Sequence, residues 1–168
     1  MKDVSPLTDG WRLHLQDGGT VPAAVPGCVH TDLMTAGLLE DPCLGRNEPA
    51  TAWIGRADWT YSTELTAPET GHERTDLVFD GLDTVAEIRL GEAVLGRTRN
   101  MHRPHRFDVT GRLSGPGTTG LSVTFTSAYT ETDRVRAAVG DRPSAYPEPI
   151  NLIRKTACNF GWDWGPTL

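Results

Sequence analysis

The stretch WTYSTEL, residues 59–65, carries the pattern that decides the fold. Its bulky side chains, Trp59, Tyr61 and Leu65, fall on alternate positions, and small or charged residues lie between them. Successive side chains of a strand point to opposite faces of a sheet, whereas a helix repeats every 3.6 residues. The stretch therefore predicts a β-strand with one face in the core and the other toward solvent.

The same alternation recurs in segments bounded by glycine, proline, aspartate or asparagine. Further strands are predicted at residues 11–15, 77–79, 86–90 and 121–125, with shorter pieces at 93–98 and 106–109. Residues 91–92 read as a tight hairpin link and residues 111–120 as a broad turn. Many short strands on short links are typical of an all-β antiparallel sandwich.

Two segments interrupt this pattern and are predicted to be helical. Residues 28–39 place apolar side chains on one stripe, and Gly37 is a natural helix terminator. Residues 131–140 carry acids first and arginines later, which agrees with the helix dipole, before Gly140 ends the run. The first helix is short, and the second is expected on the surface.

Length and charge restrict the class of protein. The 168 residues suit one domain over 1–168 that can bury its own core. Lys and Arg total 16 against 22 Asp and Glu, and the formal charge of −6 has the wrong sign for a protein that tracks nucleic-acid phosphates. No apolar run approaches the roughly 18 residues of a membrane span. We expect neither nucleic acid nor a membrane as a partner.

Cysteine usage points to a reducing compartment. Cys28, Cys43 and Cys158 are an odd number without a Cys-x-x-Cys pair, so neither a disulfide framework nor a zinc ribbon is encoded. A cytoplasmic location is therefore expected. The sequence contains no phosphate loop, dinucleotide fingerprint or nucleophile elbow, and no cofactor is predicted.

The segment FGWDWGP, residues 160–166, is the strongest candidate for a binding site. An indole offers a flat apolar face to a sugar ring, and a carboxylate beside it can accept hydrogen bonds from hydroxyls. Trp162, Asp163 and Trp164 could together clamp a sugar. In the alternative interpretation, both tryptophans anchor the core and Asp163 caps a turn.

Two further groups of residues allow several interpretations. Residues 53–61 combine aromatic and charged side chains, which favours packing at the end of the core, with Arg56 free to pair with Asp58 or another carboxylate. Residues 100–106 contain His102 and His105, whose spacing suits neither one helix face nor one strand face as a metal site. Two interpretations of residues 100–106 remain. They form either a basic loop that recognises a partner domain or a sugar hydroxyl, or a structural loop held by hydrogen bonds.

Five motifs in order resemble the N-terminal domain of β-mannosidases of glycoside hydrolase family 2. They lie at residues 25–48, 53–61, 81–84, 100–110 and 160–166. The resemblance implies a jelly-roll, galactose-binding-like sandwich, followed in the family by an immunoglobulin-like domain and a catalytic (β/α)₈ barrel. It departs mildly at Cys28 and Cys43, where the family pattern implies a small residue and an aromatic.

The resemblance also implies a division of roles. Retaining exo-β-mannosidases carry both catalytic glutamates on the barrel, so this chain holds no catalytic residue and is expected to be inactive alone. Asp163 would accept hydrogen bonds from the terminal non-reducing mannose of a β-mannoside or manno-oligosaccharide, and Trp162 would wall the pocket. Trp164 is the weaker candidate and fits the core better. No metal is implied.

The resemblance further suggests that residues 1–168 are a truncated piece. A closing C-terminal strand would follow, so one sheet edge would lie unpaired and the loop with Asp163 would be poorly supported. We expect mobility from about Asn159 onward, or self-association that covers the edge. A free-standing carbohydrate-binding module and a structural interaction domain remain as alternative functions.

Overall fold

The alternating segments of the sequence form antiparallel strands of two β-sheets. A computed structural model describes residues 3–67, 72–113, 117–163 and 165–167. In this part the strands are β1 (Arg12–His14), β2 (Thr20–Pro22), β3 (Trp59–Thr66), β4 (Asp76–Phe79), β5 (Val85–Leu90), β6 (Ala93–Arg99), β7 (His105–Asp108) and β8 (Thr118–Thr126). The helices are α1 (Val29–Thr35), α2 (Glu48–Thr51) and α3 (Ala128–Val139), with 3₁₀ turns at Ile54–Arg56 and Ala157–Phe160.

Six strands form the larger sheet in the order β2-β1-β3-β8-β5-β6, and all neighbours in it are antiparallel. At its centre, Val123 of β8 pairs with Tyr61 of β3 on one side and Ile88 of β5 on the other. The smaller sheet pairs β4 with β7 and sets Leu77 opposite Phe107. This is the all-β sandwich that the alternation predicts.

The inward faces of the two sheets share one apolar core. Leu13, Ile88 and Leu121 of the larger sheet are each at most 1% exposed. Phe107 of the smaller sheet lies directly against Gly96 of β6, where any added Cβ would overlap the aromatic ring. Glycine at this position therefore allows the two sheets to approach each other.

The end of α1 confirms the role predicted for Gly37. Its φ of +70° lies in the left-handed region, and its N–H donates to the Met34 carbonyl at 3.0 Å. The next N–H, of Leu38, reaches back to the Leu33 carbonyl at 2.9 Å. These two bonds form a Schellman motif, which glycine enters without steric cost.

Helix α3 differs from the helix predicted at residues 131–140. It begins at Ala128 because the Ser127 hydroxyl caps it, accepting a hydrogen bond from the N–H of Thr130. Glu131, which the sequence places on the surface, is 7% exposed; its carboxylate binds Arg134 and lies 3.2 Å from Arg99. Arg134 is the main cause that lowers the pKa of Glu131. The surface assignment was wrong for this helix face, because two arginines supply the partners that a buried carboxylate needs.

Several short elements have no signal in the sequence. Strand β2 contains one large apolar residue, Val21, so no alternation can be read from it. Helix α2 and the 3₁₀ turns span four residues or fewer. The described residues thus contain three α-helices where one or two were expected. None of these helices combines the length and apolarity needed to cross a bilayer. The closing strand stays a prediction.

Candidate functional site

The turn that carries Trp162 and Asp163 projects from the sandwich. The N–H of Gly165 donates to the Trp162 carbonyl at 2.6 Å, and the two residues form an isolated antiparallel bridge. Asp163 occupies the position between them with φ at +46°, the only non-glycine residue of the described chain in the left-handed region. Aspartate tolerates this conformation better than most residues. Trp164 lies outside the described residues.

Neither described residue of the candidate clamp belongs to the core. The Trp162 side chain is 68% exposed, so it does not anchor the sandwich as the alternative interpretation requires. Asp163 is also exposed, and its carboxylate makes no hydrogen bond or ion pair with the part of the chain that the structure describes. Within the described residues, the carboxylate therefore caps no turn.

The residues on both sides of this turn are firmly held. Phe160 is 7% exposed and meets the Tyr129 ring edge-on at 5.8 Å. After the turn, the N–H of Thr167 donates to the Glu48 carboxylate of α2 at 2.8 Å. Within the described residues, contacts therefore lie on both sides of the turn, and weak support of the loop stays a prediction. Mobility from Asn159 onward and self-association stay predictions.

The residues around Tyr129 also settle the role of Arg56. The Arg56 guanidinium lies 4.4 Å from the centre of the Tyr129 ring, so it makes a cation–π contact. The tyrosine hydroxyl donates to the Glu148 carboxylate at 2.8 Å. Burial, followed by this acceptor, raises the pKa of Tyr129 to about 12. Of the two kinds of partner left open for Arg56, Asp58 is not the one used, since it accepts a hydrogen bond from the backbone of Ser127.

Comparison with known proteins identifies the fold family. A family model described as "Glycosyl hydrolase 2 galactose-binding domain-like" matches residues 11–168. The chain belongs to this family. Mus musculus β-mannosidase is 35% identical over 172 residues, which cover 96% of this chain and 20% of that protein. Thermothelomyces thermophilus β-mannosidase B is 36% identical over 173 residues, which cover 98% of this chain and 20% of that protein.

Solved structures confirm the galactose-binding-like sandwich. The β-D-mannosidase from Dictyoglomus thermophilum superposes with a TM-score of 0.84 at 32% identity, over 96% of this chain and 20% of that one. An exo-chitosanase from Amycolatopsis orientalis, 18% identical, shares the fold with a TM-score of 0.65 over 74% of this chain and 17% of its own. This galactose-binding-like domain thus spans about a fifth of the length of its β-mannosidase relatives.

Residues 100–106 of this galactose-binding-like domain, here called the histidine loop, are held by their own hydrogen bonds. The Asn100 side chain accepts from the N–H of His102 at 2.9 Å, and the Asn100 carbonyl lies 3.1 Å from the His105 ring. Among the described residues, no group of three potential ligands gathers in a metal-binding arrangement. These contacts support the structural interpretation of residues 100–106.

The same loop lies on a basic surface of this domain. A shallow cavity of about 340 Å³ is bordered by four arginines, Arg97, Arg99, Arg103 and Arg154. Arg97 pairs with Glu87 at 2.5 Å and Arg99 pairs with Glu131 at 3.2 Å, but each of these carboxylates also pairs with a second arginine. Recognition of a partner domain or a sugar hydroxyl by this basic loop stays a prediction.

The aromatic group at residues 53–61 packs in this domain as predicted. Trp59 is 5% exposed, and its indole N–H donates to the Ile54 carbonyl at 2.9 Å. Trp53 lies 5.6 Å from it, ring to ring, and is 46% exposed. The pair closes the end of the core, where the buried indole also satisfies its polar atom.

Two acidic residues that the sequence motifs do not single out contact the segments on either side of the candidate turn. Glu48 contacts a residue 119 positions away, and Asp83 contacts residues 72 and 76 positions away. Both acids do lie within motifs of the family resemblance, at residues 25–48 and 81–84. That coincidence was the available signal, but no spacing rule joins two acids to a loop so distant in sequence.

Cys28 of this domain is predicted to be an unusually reactive thiol. Interaction with the His30 side chain is the largest cause that lowers the pKa of Cys28 to about 7, and Thr31 adds to it. The thiol is exposed and would be roughly half ionised at pH 7, whereas a free cysteine with a pKa of about 8.5 is ionised to only a few per cent. We expect iodoacetamide at pH 7 to alkylate Cys28 several-fold faster than a model cysteine peptide.

Mass spectrometry of the alkylated peptides measures this rate, and His30→Ala is the matched variant. The substitution should slow the reaction at pH 7 and leave it nearly unchanged at pH 9.5, where both thiols are ionised. A rate equal to that of the model peptide at pH 7 would contradict the prediction.

Proposed function

We propose that this domain is the N-terminal, non-catalytic part of a retaining exo-β-mannosidase. It contributes Asp163 and Trp162 to the pocket for the terminal non-reducing mannose, and the catalytic glutamates lie on a barrel in another part of the polypeptide. Relatives about 35% identical carry the name β-mannosidase, which supports the substrate class. Because this domain covers a fifth of those relatives, activity belongs to the longer protein.

One observation carries the proposal. Asp163 is exposed on a turn that is fixed on both sides, and its carboxylate has no partner in the described part of the chain. A carboxylate with neither an ion pair nor a capping bond adds nothing to the stability of the sandwich. Two free oxygens on a held backbone suit the recognition of vicinal sugar hydroxyls, since each can accept a charge-assisted hydrogen bond. Trp162, the preceding residue in the sequence, is 68% exposed and offers an apolar ring to a sugar.

The test is Asp163→Ala in the intact protein encoded by the gene, assayed on an aryl β-D-mannoside. Loss of a charged acceptor in a substrate pocket should lower kcat/KM by about 10- to 150-fold, or about 1.5–3 kcal/mol. Asp141→Ala is the matched control, because that carboxylate is 91% exposed and far along the chain from the turn. An unchanged kcat/KM in Asp163→Ala would overturn the proposal.

The exposed indole also favours a second candidate, a free-standing carbohydrate-binding module. Calorimetric titration of the 168-residue chain with mannose and manno-oligosaccharides separates the two functions. Binding with a Kd of about 1 mM or tighter supports the module, because its site would then be complete within this domain. Absence of heat supports the proposed role, in which the barrel completes the pocket.

A further inference from the structure

The Asp83 carboxylate joins the start of β5 to the segment that leads into the candidate turn. Its Oδ2 lies 2.5 Å from the Lys155 ammonium and accepts a hydrogen bond from the Asn159 amide at 3.1 Å. Its Oδ1 accepts a hydrogen bond from the neighbouring Thr84 hydroxyl. Both oxygens are therefore occupied, and one of them holds two residues of the C-terminal segment.

The cation of this ion pair is the sheltered partner. The Lys155 side chain is 15% exposed and Asp83 is 32% exposed, whereas the arginine in each arginine pair of the described residues is at least 38% exposed. A partly desolvated pair is stronger and less screened than one in open solvent. Removal of the carboxylate would leave the ammonium of a half-buried lysine without this partner.

Further contacts hold the same segment against the histidine loop. The Thr156 N–H lies 3.0 Å from the Met101 sulfur, and the Met101 N–H donates to the Arg154 carbonyl at 3.2 Å. Asp83 is the only charged group among these anchors, and it acts closest to the turn. Asn159 lies four residues before Asp163, with the buried Phe160 between them.

Two carboxylates thus bracket the turn, Asp83 before it and Glu48 after it. Asp163 itself has no partner in the described chain. Its position is therefore set by the backbone, and the backbone is set by these two acids and by Phe160. A binding group held in this way needs its supporting contacts to keep it within a fraction of an ångström of the ligand.

We propose that Asp83 is a positioning residue: through Lys155 and Asn159 it holds the turn so that Asp163 meets the sugar. This inference rests on the proposed role of Asp163. Asp83 does not touch the ligand, and its influence on binding passes through Asp163.

The experiment is a double-mutant cycle in the intact protein, with kcat/KM measured on an aryl β-D-mannoside. Asp83→Ala should lower kcat/KM by about 3- to 30-fold when Asp163 is present, and by less than about twofold in the Asp163→Ala background. A residue with a merely structural role would lower both by the same factor. Equal factors, or no effect of Asp83→Ala, would overturn the inference while the loss in Asp163→Ala still supports the proposed function.

Two further variants make the result specific. Glu87→Ala is the matched control, because Glu87 is 26% exposed and bonds to Arg89 and Arg97, away from the turn. It should leave kcat/KM unchanged in both backgrounds. If circular dichroism shows that Asp83→Ala is unfolded, Asn159→Ala in the same cycle tests the contact while keeping the Asp83–Lys155 pair. Multiplicative losses from Asn159→Ala and Asp163→Ala would then count against the inference.

Discussion

Replacement of Asp32 by alanine is expected to lower the free energy of unfolding by about 2–4 kcal/mol. Asp32 lies on α1, is 3% exposed, and accepts hydrogen bonds from the Tyr61 hydroxyl at 2.8 Å and from the Ala24 N–H at 2.9 Å. Without this acceptor, the buried Tyr61 hydroxyl would be removed from water with no hydrogen bond to offset its desolvation free energy. Because Tyr61 belongs to the central part of the larger sheet, the loss also removes a hydrogen bond between α1 and that sheet.

Urea unfolding of the 168-residue chain, followed by tryptophan fluorescence, measures this change. Asp32→Asn is the conservative comparison, because its carbonyl oxygen keeps one acceptor, and it should cost less. Burial and then the Asp32 carboxylate raise the pKa of Tyr61, so its hydroxyl remains a donor through the neutral range. The stability that the hydrogen-bonded Tyr61 hydroxyl contributes is therefore fully present below about pH 10, the pKa of tyrosine in the unfolded chain. It is lost only as the pH rises further. A change within 0.5 kcal/mol, the range of ordinary surface substitutions, would show the network to be dispensable.

Ile88→Ala should destabilise the sandwich by about 2–5 kcal/mol. Ile88 is 0% exposed and lies at the middle of β5, paired with Val123 on one side and Gly96 on the other. The methyl groups removed would leave a cavity that strands hydrogen-bonded on both sides cannot close. Thermal and urea unfolding report the loss.

Two substitutions calibrate that measurement. Ile88→Val removes one methylene and should cost about 0.5–1.5 kcal/mol. Val94→Ala, on β6 and 44% exposed, should cost less than about 1 kcal/mol because little buried area is lost. Equal effects of Ile88→Ala and Val94→Ala would mean that the centre of the sheet is not the packed core that the burial indicates.

The strands were predictable because the core lies on one side of the larger sheet. Where one face is buried, as along β3, apolar residues must alternate, and the pattern of Trp59, Tyr61 and Leu65 records it. Strand β2 was not predicted because its three residues lie at the edge of the sheet and are little buried. The start of α3 could not be predicted because the Ser127 cap sets it, and serine is also common in turns.

The candidate site was also predictable only in part. The motif at residues 160–166 could be read directly, since indoles and a carboxylate in sequence have an obvious chemistry. Its supports could not, because the chain has 22 acidic residues and nothing local shows which of them meets Lys155 or Thr167. Such pairings depend on the register of distant strands, which only the folded structure fixes.

The left-handed backbone at Asp163 limits protein engineering at this position. Only glycine and asparagine enter that conformation as readily as aspartate, whereas β-branched residues would shift the turn itself. Under the proposed role of Asp163 in sugar binding, few substitutions at this position would therefore keep the turn intact. Substitutions at Trp162 avoid this restriction, because its backbone lies outside the left-handed region.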